Sequence, residues 1–560
     1  MTPHATGEGS SPTLKGATDT QLATIQSDRL SVNGVPARRS NAPRMSAGIM
    51  PHTSSDVFKR PRYGKPKAKK WNHRLTEESK SRQPSNLKGL GKFLGRPGMI
   101  SLGGGLPSSQ YFPIEHLDVK VPSVPQFTEE ETKALGVVKR AGKHDIAEET
   151  SLYDLHVALN YGQATGSPQM LRFVTEHTEI VHNPPYQDWQ CCIDGASTSA
   201  LEIAFRMFIN RGDYILTESY TFSSAADTAR PMGARWVGVD MDKEGLLPSS
   251  LDSILSRWDP GKHDNKPKPF LLYTVPSGQN PTGATQSLRR RKEIYRIAQK
   301  HDLYVIEDEP YYFLQMQPYT GAGSPDPPPP SSHAEFLKSL VPSLLSLDVD
   351  GRVMRLDSFS KIIAPGFRTG WITASEQVVE RFIRHSEVSV QNPSGLSQIV
   401  LYKLLEETWG HGGFLDWLVH IRLEYTSRRN IIVDACEKCL PSEVASWDPP
   451  MAGMFHWIKV DWTKHPAYGK KSVLEIEDEI FMTAIEDFVV ISKGSWFLAE
   501  QGDPRDKIFV RTTFAAATEE QLREGIRRLG DALRKTFGLK EEGQSDAVPG
   551  SLIENVHLVE

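Results

Sequence analysis

Asp357-Ser358-Phe359-Ser360-Lys361-Ile362-Ile363-Ala364-Pro365-Gly366-Phe367-Arg368 stands between two alternating, strand-like runs at 353–356 and 369–373. A lysine at a strand end can condense with an aldehyde, while neighbouring hydroxyls and an arginine seven residues on can hold a phosphate. Taken alone, S-x-S-K also describes a solvated basic turn, and that plainer reading is the commoner one. The surrounding pattern has to decide between them.

Upstream, strand-like runs near 191–194, 214–217, 235–239, 269–273 and 303–307 alternate with helical patterns. That alternation predicts an α/β fold with a largely parallel sheet covered by helices on both faces. Ligands of such sheets bind at the carboxyl ends of strands, and the chemistry-bearing residues fall there. Gly195-Ala196-Ser197-Thr198 would set backbone N–H groups and two hydroxyls at a helix start, a phosphate cradle, with plain helix capping as the alternative. Asn280, in Pro276-Ser277-Gly278-Gln279-Asn280-Pro281-Thr282-Gly283, is held extended by the following proline and could aim its amide at a ring hydroxyl. Asp308, in Ile306-Glu307-Asp308-Glu309-Pro310-Tyr311-Tyr312, ends a buried run. A carboxylate there suits a protonated ring nitrogen, since each offsets the other's charge in a dry site. An exposed acidic loop is the alternative, and the apolar run before Asp308 argues against it.

The 560 residues allow roughly two to four domains. With 38% hydrophobic and 24% charged residues and a net charge of −4, nothing in the balance calls for nucleic acid or a membrane surface. No run approaches the roughly 18 apolar residues of a membrane span, and the first residues lack the apolar core of a secretion signal, so a cytoplasmic protein is expected. The four cysteines, Cys191-Cys192 and Cys436-x-x-Cys439, have no further ligand at metal spacing. No metal site and no disulfide framework are expected. Residues 1–75 are polar and without period and read as a disordered extension. The basic run 59–70 within them reads as a solvated segment, with a nuclear-import or nucleic-acid patch as the alternative. An arm comes next over 76–117, with a short helix at 86–94 and Gly103-Gly104-Gly105, whose glycines let backbone approach a ligand. Residues 118–150 read as a charged, irregular insertion, and a proline-rich one lies near 317–345. A large domain is expected over 151–390, a smaller C-terminal α/β domain over 391–540, and a flexible tail over 541–560.

Asn280-Pro281-Thr282-Gly283, Asp308 with Tyr311 three residues on, Ser358-x-Ser360-Lys361 and Arg368 occur in the order and spacing of fold-type I pyridoxal-phosphate aminotransferases. The chain resembles that family over about 75–537. Tyr273-Thr274-Val275-Pro276 and the strings around Asp308 and Lys361 look closest to the fungal aromatic amino-acid and mammalian kynurenine/aminoadipate aminotransferases. The resemblance implies a mostly parallel seven-stranded sheet in the large domain. It also implies that Lys361 holds pyridoxal phosphate covalently and moves the substrate Cα proton, while Asp308 keeps the ring nitrogen protonated. Asn280 and Tyr311 would bond the ring hydroxyl oxygen, and Phe222 would stack on the ring. Ser197, Thr198, Ser358, Ser360 and Arg368 would hold the phosphate, with Tyr161 reaching across from the second subunit of a homodimer. Arg511, ending a strand at 508–511, would clamp the substrate α-carboxylate beside Asn280 and Gly105. Lys88 would stand where relatives can carry an arginine for a side-chain carboxylate. The implied reaction moves the amino group of an aromatic, kynurenine- or aminoadipate-type L-amino acid to a 2-oxo acid such as 2-oxoglutarate, in a ping-pong cycle. A decarboxylase or lyase of the same fold remains the alternative; an aminotransferase-like transcription regulator has only the basic 59–74 stretch in its favour.

Overall fold

The strand that delivers Lys361 lies inside a seven-stranded sheet. The strands are β1 (Trp189–Asp194), β2 (Tyr214–Glu218), β3 (Arg235–Val239), β4 (Leu271–Thr274), β5 (Tyr304–Asp308), β6 (Val353–Ser358) and β7 (Gly370–Ser375). This is a computed structural model, and it describes residues 29–539 apart from 43, 44, 46, 47, 49, 52, 61–63, 95–97, 324, 501 and 503–505. The spatial order is β1-β7-β6-β5-β4-β2-β3, with β7 antiparallel to its two neighbours and the other strands parallel. Every residue of β1, β4, β5, β6 and β7 is buried, as a sheet covered on both faces requires. Helices Ser197–Phe208 and Leu288–Lys300 are among the crossovers; the second starts where the Ser287 side chain accepts from the Arg290 N–H.

Register levels the strand ends. Leu356 of β6 opposes Asp308 of β5, and Gly370 of β7 opposes both Ser358 and Asp194. The candidate residues therefore sit along one edge of the sheet, at the carboxyl ends of the parallel strands.

The smaller unit is an antiparallel sheet of β8 (Ala445–Trp447), β9 (Phe455–Val460), β10 (Ser492–Lys493) and β11 (Ile508–Thr513), in the order β8-β9-β11-β10. Helices Val473–Glu486 and Glu519–Phe537 pack with it around a second core. The helix Gly410–Cys439 serves both cores. Phe414, Leu415, Leu418 and Ile421 enter the large one, whereas Ile432, Val433, Ala435 and Cys436 enter the small one. The packing thus divides inside this helix, not at 390/391, because residues 395–421 spend their apolar face on the large core.

Two expectations are corrected. Within the stretch read as disordered, residues from 29 onward that are described pack on the large unit. Helix Gly34–Ser40 is fastened by Arg38 to Glu179 and by Arg39 to Glu176 and Glu406. Trp71 is fully buried, edge-on to Tyr304 with ring centres 5.2 Å apart. Its basic run is partly spent: Lys59 lies over the Trp189 ring at 4.9 Å, and Lys69 pairs with Asp350 at 3.5 Å. Residues 1–28 and 540–560 lie outside the described residues. The insertion at 118–150 is not irregular either. His116–Val121 pairs antiparallel with Val137–Gly142, and between them a Thr128/Glu131 capping box starts helix Glu129–Leu135. The proline-rich stretch carries helix His333–Ser339, anchored by buried Phe336. Among the described residues no helix is long and apolar enough to cross a membrane.

Candidate active site

Asp308 closes β5 and is almost fully buried. The Tyr273 hydroxyl, from β4, donates to Asp308 Oδ2 at 2.9 Å, while Oδ1 is buried with no partner. The hydroxyl of Ser197 is likewise buried; it lies beside the Asp308 carboxyl without a well-aligned hydrogen bond. Burial pushes the Asp308 carboxyl up to about 6, against the Tyr273 hydrogen bond and the neighbouring Ser197 hydroxyl. An open buried acceptor costs free energy unless a donor arrives, so the site is built to receive one.

Beneath the next strand lies an ionic brace. The fully buried Arg355 grips Asp357 through two hydrogen bonds of 2.8 and 2.7 Å, lies 3.4 Å from Glu307, and covers the Tyr312 ring at 4.6 Å. Residues i and i+2 of a strand share a face, so the Arg355/Asp357 pairing was open to inspection in the sequence. It holds the backbone that leads into Ser358.

Ser358 and Ser360 form a small polar hook. The Ser358 hydroxyl donates to that of Ser360 at 2.8 Å and accepts the Ser360 N–H at 3.1 Å. Lys361 is half-buried and has no hydrogen bond or ion pair among the described residues. Burial, then the nearby Arg368, lowers its pKa. Arg368 is exposed, with left-handed backbone (φ +46°), and donates to the Pro365 carbonyl at 2.9 Å. Ser197 and Thr198 open the helix after β1, and Phe222 is the residue just before helix Ser223–Ala229.

Arg511 joins the two units. Arg511 of β11 donates to Asn280 Oδ1 at 2.8 Å and to the Ser492 hydroxyl at 3.2 Å. Its guanidinium lies 4.3 Å from the centre of the Phe455 ring and 4.5 Å from that of Phe497. Tyr311, buried, meets Phe455 edge-on with ring centres 6.0 Å apart. Sequence reasoning passed over Tyr273, Phe455, Phe497 and Ser492. Phe455 lies in the strand just after Gly453 and could have been found; Phe497 sits in a short turn, Gly494–Phe497, and only its contacts reveal it.

Lys88, Gly105 and Tyr161 come together elsewhere, lining a cavity of about 280 Å³ with Leu87 and Ser101. Lys88 donates to the Gly162 carbonyl at 2.5 Å, and its burial lowers its pKa. No hydrogen bond or ion pair among the described residues joins these three to Lys361, Asp308 or Arg511 within one chain.

The sequence model of aminotransferase class I and II matches residues 128–529. An aromatic amino acid aminotransferase of Schizosaccharomyces pombe is 44% identical over 471 residues, covering 83% of this chain and 98% of that protein. An L-tyrosine:2-oxoglutarate aminotransferase of Tapinella panuoides is 32% identical, covering 84% and 96%. The crystal structure of aminotransferase Aro8 from Candida albicans superimposes with a TM-score of 0.78 at 43% identity, covering 85% of this chain and all of that one. The residues present fit pyridoxal phosphate. Asp308 Oδ1 lacks a donor, the Lys361 amine lacks a partner among the described residues, and hydroxyls with Arg368 stand at the loops around them. The chain belongs to the class I and II aminotransferases, with pyridoxal phosphate as cofactor.

Proposed function

We propose that this chain moves the amino group of an aromatic or kynurenine-type L-amino acid to a 2-oxo acid such as 2-oxoglutarate. The observation that carries the reading is Arg511, bonded to Asn280 and set against the rings of Phe455 and Phe497. A guanidinium fork matches an α-carboxylate, and the two rings offer an aromatic wall beside it. The named activities of the aromatic and tyrosine:2-oxoglutarate relatives support the same substrates.

Pyridoxal phosphate, when bound, supplies the aldehyde carbon that takes the amino group and the ring that accepts the electron pair of the Cα–H bond. The protein does the rest. Arg511 fixes the α-carboxylate and so decides which Cα bond is aligned for cleavage. Lys361, its basicity lowered by burial and Arg368, takes the proton from Cα and delivers it on the other side of the transfer. Asp308 Oδ1 would hold the proton on the ring nitrogen, with the Tyr273 hydroxyl fixing the carboxylate through Oδ2. Asn280 and Tyr311 would bind the ring hydroxyl oxygen, and Phe222 would stack on the ring. Ser197, Thr198, Ser358, Ser360 and Arg368 would hold the phosphate.

The working unit is read as a homodimer. Leu87, Ile100, Leu102, Tyr111 and Val388 are exposed, and the arm cavity with Lys88 and Tyr161 lies apart from Lys361. A second copy covering this apolar surface would bring Tyr161 to its partner's phosphate.

The test is a half-reaction. Full-length holoenzyme mixed with L-phenylalanine, L-tyrosine or L-kynurenine, without acceptor, should release about one 2-oxo acid per site and lose its absorbance band. 2-Oxoglutarate should then restore the band. Carbon dioxide release without 2-oxo acid would assign a decarboxylase instead.

A further inference from the structure

We propose that Asp194 is a positioning residue that clasps Ala196 and so shapes the loop presenting Ser197 and Thr198 to the cofactor phosphate. The inference rests on the reading that this loop is the phosphate cradle. Asp194 ends β1, and its Oδ1 accepts the Ala196 N–H at 2.6 Å. Ala196 has φ +77° and ψ 168°, a combination essentially restricted to glycine and retained by other residues only where the surroundings enforce it. The clasp is the enforcing contact.

The start of the next helix depends on that geometry. Ala196 is the residue before helix Ser197–Phe208 and has no side chain with which to cap it, so the carboxylate two residues upstream fixes the turn instead. The N–H groups of Ser197 and Thr198, first in the helix, have no partner among the described residues, and the Ser197 hydroxyl is buried beside the Asp308 carboxyl. Room for the clasp comes from Gly370. A Cβ there would lie 3.0 Å from Asp194 Oδ1, 3.1 Å from the Ala196 Cα and 2.5 Å from the Asp357 carbonyl oxygen. The second oxygen of Asp194, Oδ2, is buried without a partner. Burial, with Asp357 and Asp308 nearby, pushes the carboxyl up to about 8, against the Ala196 N–H and Arg368. A carboxyl shifted in this direction repels an anion beside the phosphate loop less than an ordinary aspartate would.

The experiment strips the full-length enzyme of cofactor and titrates it with pyridoxal 5′-phosphate and, separately, with pyridoxal, following tryptophan fluorescence. Asp194→Ala should weaken the phosphate-bearing compound about tenfold, the scale of one lost buried hydrogen bond, and leave pyridoxal nearly unchanged. Asp194→Asn keeps the acceptor oxygen and should stay close to the parent. Ala196→Gly adopts the backbone angles freely, so Asp194→Ala combined with Ala196→Gly should recover most of the lost affinity. If Asp194→Ala alone does not fold, the double variant is compared with Ala196→Gly, and the two affinities should agree. Equal loss for both compounds, no loss in Asp194→Ala, or no recovery with Ala196→Gly overturns the proposal. Thr198→Ala separates the two levels. If it weakens pyridoxal 5′-phosphate while Asp194→Ala does not, Asp194 is no positioning residue; if it has no effect, the cradle reading itself falls.

Discussion

The hydroxyl of Tyr273 meets one oxygen of Asp308 at 2.9 Å and leaves the other without a donor in a fully buried site. On the proposed reading, one oxygen orients the carboxyl and the other would take the ring nitrogen. Asp308→Asn can still accept a hydrogen bond but has no charge to keep the ring nitrogen protonated, and should lower kcat by about 10³-fold or more, with a much smaller loss of cofactor affinity. Tyr273→Phe removes only the orienting bond and should cost about 1 kcal/mol in kcat/KM. Steady-state kinetics with cofactor titration checks both. Parent-like turnover in Asp308→Asn would remove Asp308 from the chemistry.

In the proposed function Arg511 would bind the α-carboxylate that all substrates share. Arg511→Lys keeps the charge, loses the planar fork and the fit between Phe455 and Phe497, and should lower kcat/KM by about 2 kcal/mol. The loss should be of similar size for phenylalanine, tyrosine and glutamate. A loss confined to one of them would mean that Arg511 reads the side chain.

Legibility in the sequence tracked period and contact range. β5 opens on apolar residues and ends in Glu307-Asp308, and β6 alternates before the Ser358 turn, so Asp308 and Lys361 could be assigned to strand ends from pattern alone. The Asn280–Arg511 pair is more than two hundred residues apart in the chain, and only motif spacing named both members. Tyr273 reads as strand filler in Leu-Leu-Tyr-Thr, because nothing local shows that its hydroxyl reaches β5. Trp71 was missed for a similar reason. One large apolar residue in a polar, aperiodic stretch gives no helix or strand period, yet it fills a slot against Tyr304 and draws the extension onto the large unit. Phe497 rides on a single turn of chain whose place is set by a long-range bond, its carbonyl accepting the Thr221 N–H at 2.8 Å.

Glu218, at the end of β2, gives a pH signature. Burial pushes its carboxyl up to about 7, against donors that include the Thr274 hydroxyl. Its folded pKa lies above the unfolded value, so the native state holds the extra proton. Its contribution is complete below about pH 4 and fades as pH rises through 7. Glu218→Gln lacks the titration. Relative to the parent, the variant should gain stability by a few kcal/mol between pH 5 and pH 8. Urea unfolding of the cofactor-free protein at both pH values measures it. A pH-independent difference between the two proteins would show that Glu218 does not titrate in this window.

Tyr161 separates a shared active site from a self-contained one. It is half-exposed and lines the arm cavity with Lys88, away from Lys361 of its own chain. If it serves the partner's phosphate, Tyr161→Ala and Lys361→Ala chains are each inactive alone but complement when mixed. In a hybrid dimer, the site that keeps Lys361 receives Tyr161 from the other chain and is intact. Random reassortment makes about half the dimers hybrid, each with one good site, so the mixture should reach about a quarter of parent activity in a two-fold symmetric dimer. The chains are unfolded or diluted, mixed at equal concentration and reassembled with pyridoxal phosphate before assay. The same mixing with Lys88→Ala, assayed with 2-oxoglutarate, asks whether Lys88 crosses too. Its ammonium spends one of three donors on the Gly162 carbonyl, which leaves two for a distal carboxylate. Lys88→Ala alone should then raise KM for 2-oxoglutarate and glutamate about tenfold, with phenylalanine nearly unchanged. Absence of complementation between Tyr161→Ala and Lys361→Ala would place Tyr161 in its own chain's site or in none.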